Sequence, residues 1–108
     1  MKIPQALKIA GRDYKIFYPY TFKDNLRPLY GLHDSATQTI RITDRDENNC
    51  IRNRQAITHT FLHEVLHAID NCYFAGHLST WDQGENAIDQ LAEGLLQVIR
   101  DNNLDFRK

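Results

Sequence analysis

Residues 6–18 alternate apolar and polar positions on both sides of Gly11. That is the period at which strand side chains reach one face. The pattern predicts a β-hairpin with its turn near Gly11-Arg12-Asp13. Residues 19–31, carrying Pro19, Pro28 and Gly31, read as a connecting loop. Alternation returns over residues 37–42, where Thr37, Thr39, Ile40 and Ile42 are β-branched, so a third strand is expected there.

Beyond the polar stretch 44–49 the period changes. Ile57, Phe61, Val65, Ala68, Ile69 and Cys72 recur at helical spacing. They predict a helix from about Cys50 or Asn53 to about Phe74, stopped by Ala75-Gly76. A second helix is expected from about Asp82 or Gly84 to about Asp101, its apolar face built from Ile88, Leu91, Ala92, Leu95, Leu96, Val98 and Ile99. Gly94 inside it costs roughly 1 kcal/mol against Ala, which suggests that another element approaches closely there. The polar end from Asn102 onward is expected to fray. Together these elements predict an α+β fold, a small antiparallel sheet of about three strands packed on two helices.

Size and composition agree with one domain over 1–108. The chain has 108 residues, 42% hydrophobic and 25% charged, enough for a modest core but not for two. A net charge of −1 offers no electrostatic ground for nucleic acid or an acidic membrane as partner. No apolar run approaches the roughly 20 residues of a membrane span. Met1-Lys2-Ile3-Pro4-Gln5 lacks the apolar core of a signal peptide. The two cysteines, Cys50 and Cys72, are too few for a disulfide framework. Cys72 reads as a buried free thiol in the apolar stripe. A reduced, cytoplasmic protein is the expectation.

The candidate chemistry lies in the first helix. His63-Glu64-Val65-Leu66-His67 places two histidines four residues apart, stacked on one helix face. That spacing lets both rings reach one ion, with Zn²⁺ the usual one. Glu64 can lean over the same ion and take a proton from bound water. At 100° per residue His63, Glu64 and His67 fall beside the apolar stripe, where a cleft can be walled by protein yet open to water.

A catalytic zinc needs a third protein ligand and an open fourth position. Glu85 continues the row Ile88, Ala92, Leu95, Ile99 one turn earlier, and a carboxylate on an apolar row is costly unless paired or metal-bound. It ranks first, with a helix N-terminal carboxylate favoured by the dipole as the plainer reading. Glu93 reads as a solvated charge. Asp89 could accept the second ring N–H of His63 or His67, with an ordinary edge charge nearly as good a reading; Asp70 is a weaker candidate for that role. His59 lies about 12 Å along the axis from His67, too far to share the ion. His77 could replace Glu85 or bind a substrate oxyanion, although a loop histidine is its simpler reading. Tyr14, Tyr18, Tyr20, Tyr30 and Tyr73 are further oxyanion donors among which the sequence does not choose.

With HExxH, a gap of 17 residues and then Glu85-Asn86-Ala87-Ile88-Asp89, the chain resembles zincin metallopeptidases of the glutamate type. More narrowly it is similar to small zincin-like proteins of bacteriophages and prophages, distant from the ImmA/IrrE metallopeptidases. The matching features are the Gly11 hairpin, Tyr30-Gly31-Leu32-His33-Asp34, Ile40-Arg41-Ile42, His63 to Asp70, and Leu91-Ala92-Glu93-Gly94-Leu95-Leu96 leading to Asp101-Asn102. The resemblance implies His63, His67 and Glu85 as zinc ligands, Glu64 as general base and Asp89 orienting a bound histidine. The function expected on this reading is hydrolysis of a protein or peptide substrate, which an edge strand, residues 37–42, could hold by strand addition. The chain departs from the metzincin pattern, with Tyr73 where that third histidine would stand. It also lacks the Pro that commonly follows the last helix motif in ImmA/IrrE proteins. A zinc-binding module without hydrolytic activity and a metal-free structural domain are the competing expectations.

Overall fold

The hairpin forms as the alternation requires, from β1 (Ala6–Ile9) and β2 (Arg12–Phe17). Its turn falls on Ala10 and Gly11, slightly earlier than expected, and both have positive φ, as tight hairpin turns require. The computed structural model describes residues 2–23, 29–81 and 84–102. Residues 24–28 of the expected loop and the C-terminal residues 103–108 lie outside the described residues.

Two further strands, β3 (Gly31–Asp34) and β4 (Thr39–Ile42), complete a sheet of order β1-β2-β4-β3. The fold is α+β, but the sheet has four strands rather than three, and it is mixed rather than antiparallel. β4 runs parallel to β2, with Ile16 opposite Ile40, and antiparallel to β3, with His33 opposite Ile40. β3 escapes sequence patterning because Gly31-Leu32-His33-Asp34 holds one large apolar residue. Its conformation comes from pairing, and the Asp34 carboxylate closes the following turn by accepting from the Ala36 amide at 3.0 Å. β4 is therefore an interior strand, and β3 is an edge.

Helix α1 (Arg54–Tyr73) starts at Asn53, whose side chain accepts from the Ala56 amide at 2.8 Å. It ends as expected, with Ala75 and Gly76 at positive φ. A short helix that the sequence did not announce, α2 (His77–Thr80), follows, and then α3 (Gly84–Asn102). Ile57, Phe61 and Ala68 of α1 join Ile9, Tyr14, Ile16, Ile40 and Ile42 of the sheet in one core. α3 packs on α1 and α2 and not on the sheet, which makes α1 the middle layer. This explains why Leu62 and Thr58, off the expected stripe, are buried too.

The buried row of α3 is Ile88, Ala92 and Leu96, with Ile99 partly covered; Leu91, Leu95 and Val98 are exposed. Among the described residues no other element comes within 4 Å of where a Cβ at Gly94 would stand, so the expected close packing there is absent. The glycines in tight contact are Gly31 and Gly84. No described helix is long and apolar enough to cross a membrane. Cys50 is exposed, and Cys72 is a half-buried thiol; both are free.

Candidate metal centre

His63, Glu64 and His67 lie on the arc of α1 that looks out between β3 and the start of α3. On one side, Gly31 lets β3 rest on the helix. A Cβ there would stand 2.7 Å from Thr60 Cγ2 and 3.0 Å from Glu64 Cγ, closer than packed carbon atoms approach. The Glu64 carboxylate accepts from the backbone amide of His33 on that strand. Its side of the cleft is closed, and Glu64 is only 7% exposed. Burial pushes its carboxyl up and the negative charge of Glu85 adds to this, while the His33 amide pulls the other way; the group sits at about 7.

On the other side α3 brings Glu85 over the two histidines. Glu85 Oε1 lies 2.8 Å from His63 Nε2 and 3.4 Å from His67 Nε2, and the two ring nitrogens are 3.1 Å apart. Glu85 follows the apolar row of α3 past the end of the core, so its side chain is 69% exposed and enters the cleft rather than the interior.

The outer ring nitrogens are also engaged. His63 Nδ1 lies 3.3 Å from Asp89 Oδ1. His63 thus faces a carboxylate on either side of its ring, Glu85 at Nε2 and Asp89 at Nδ1. His67 Nδ1 lies 3.1 Å from Ser79 Oγ, leaving its Nε2 toward the same point. Two ring nitrogens and one carboxylate oxygen thus converge on one point. In a tetrahedron of Zn–N and Zn–O bonds, ligand atoms stand about 3.3 Å apart. The observed separations of 2.8, 3.1 and 3.4 Å bracket that value, and the His-His-carboxylate donor set suits Zn²⁺. Among the described residues these three form the one cluster able to hold a metal.

Other expected participants stand apart. His59 pairs with Asp89 at 3.2 Å and Glu93 at 3.5 Å, which stitches α1 to α3 one turn away. His77 is exposed at the first position of α2. Tyr14 is buried against His33, its hydroxyl 3.0 Å from Nε2. Tyr30 bonds Glu47 and lies under Arg52; Tyr20 packs on Phe22 and Arg41. Tyr18 lies half-exposed among Lys2, Ile51 and Arg54, and Tyr73 is exposed near the end of α1. Residues 37–42 cannot offer a free edge, because β4 is paired on both sides; the edge strand beside the cleft is β3.

Sequence reasoning missed Ser79 and underrated Asp70. Asp70 is 1% exposed and accepts from Leu78 N at 3.0 Å, Ser79 N at 2.9 Å and Ser79 Oγ at 2.6 Å. Burial alone would push its carboxyl up, but these three hydrogen bonds outweigh it and hold the group below the ordinary value. Leu78 and Ser79 are first-turn residues of α2, whose N-cap Gly76 has no side chain to offer. Asp70 serves as a cap lent from the neighbouring helix. A lone buried aspartate on the polar flank of α1 was the available signal. Comparison with models of known protein families, with curated proteins and with solved structures finds no match.

Proposed function

We propose that the chain is a zinc-dependent metallopeptidase, with His63, His67 and Glu85 holding the metal and Glu64 as general base. The observation that carries this reading is the meeting of two ring nitrogens and a carboxylate oxygen within 3.4 Å of one another, beside a buried glutamate. Zinc held by that set would lower the pKa of a bound water toward about 7 and polarise a peptide carbonyl. Glu64, held by the His33 amide, would take the proton of the attacking water and return it to the leaving amine. Asp89 keeps the His63 ring turned to the cleft. A protein or peptide substrate would lie in the groove between β3 and α3.

The test is metal content and turnover. Protein purified without added zinc is expected to carry one equivalent, and Glu64→Gln is expected to keep it while losing hydrolysis by about 10²–10⁴-fold. Absence of stoichiometric metal would refute the reading. If Glu64→Gln retained both the cellular phenotype and partner binding in full, the zinc-binding interaction module would replace it.

A further inference from the structure

Ser79 has one hydroxyl proton, and its shortest contact, 2.6 Å, is to Asp70 Oδ2. An ionised carboxylate has no proton to give. The Ser79 hydroxyl must therefore donate to Asp70, and toward His67 Nδ1, 3.1 Å away, its oxygen can only accept. That oxygen calls for a proton on His67 Nδ1, and a neutral ring carrying it there keeps its Nε2 lone pair for a ligand.

The same carboxylate acts on the third ligand by a second route. By holding the amides of Leu78 and Ser79 it sets the position of α2. Against the end of that turn sits Gly84, where a Cβ would lie 2.2 Å from Leu78 O and 2.6 Å from Ser79 O. The next residue is Glu85.

We propose that Asp70 and Ser79 are positioning residues of the metal centre: one buried carboxylate, acting through one hydroxyl and one short helix, fixes both the tautomer of His67 and the seat of Glu85. The proposal rests on the metal centre of the preceding section, yet its first readout needs no metal. Long-range ¹H–¹⁵N correlation on the metal-free protein reports the tautomer of each histidine, and competition against a chromophoric chelator reports the zinc constant. In wild type, His67 is expected to be protonated on Nδ1. Ser79→Ala is expected to release that preference and to weaken zinc binding about 10–100-fold. Ser79→Thr, which keeps the hydroxyl, is expected to restore both.

An unchanged His67 tautomer in Ser79→Ala would overturn the proposal. So would a loss of zinc affinity equal in the Ala and Thr variants, which would mark Ser79 as structural only. If wild type failed to bind zinc, the metallopeptidase reading would fall, while a tautomer shift in Ser79→Ala would still support the relay.

Discussion

Replacing Gly84 by Ala tests whether the cleft depends on the seating of α3. The added methyl would meet Leu78 O at 2.2 Å and Ser79 O at 2.6 Å. The first is about 1.2 Å short of the 3.4 Å at which ordinary contact begins. Both atoms are backbone carbonyls of a turn that Asp70 holds, so neither can swing aside as a flexible side chain would. Alanine is the better helix former by up to about 1 kcal/mol, whereas overpacking of this kind costs about 1–3 kcal/mol. The steric term wins, and a net loss of about 1–2 kcal/mol is expected. For a chain of 108 residues that corresponds to a fall of roughly 4–8 °C in Tm. Because Glu85 is the next residue, zinc affinity is expected to fall at least about tenfold. Urea or thermal unfolding in the presence of a chelator isolates the steric term, and chelator competition then measures the metal term. A variant as stable as wild type without metal would refute the close packing of α3 on α2. One that lost stability but kept full zinc affinity would refute the link from that packing to Glu85.

Glu85→Ala is expected to weaken zinc binding by more than about 100-fold, beyond what an outer residue contributes, while Glu93→Ala, at a residue paired with His59 outside the cluster, leaves it unchanged; the reverse order in a competition assay would mean that the wrong carboxylate has been assigned. Asp70→Asn is expected to cost about 1–3 kcal/mol at neutral pH, since an amide cannot accept all three of the donors now directed at Asp70. The pH dependence has a definite sign. The folded-state pKa of Asp70 lies below its ordinary value of 3.8, so its stabilisation is present in full above that value and fades as pH falls through the folded-state value. Wild type should therefore lose stability below about pH 4 more steeply than Asp70→Asn, and parallel urea midpoints at the two pH extremes would contradict this.

Elements that bury a periodic stripe were legible in the chain. The hairpin, α1 and α3 each announce themselves by period, and the four-residue spacing of His63 and His67 places them on one helix face before any coordinates are known. Glu85 was reachable by continuing the row of Ile88, although that row leaves the core before reaching it. What could not be read came from pairing across distance. β3 owes its conformation to β4, and nothing in residues 37–42 says that this strand inserts beside β2 in parallel. The short helix α2 has no apolar stripe of its own and exists because Asp70, seven residues before His77, caps it. Ser79 drew no attention for the same reason, since its role depends on a hydrogen bond that only the fold creates. The exposure of Leu91, Leu95 and Val98 was likewise hidden, because a helix pattern alone does not reveal how wide a face its neighbour will cover.

The backbone N–H of His33 carries a single proton, and Glu64 holds it. Any extended chain that zips onto the outer rim of β3 competes for that same donor. At His33, then, the rim of β3 already has its donor engaged, and a strand added there would first have to displace the Glu64 carboxylate.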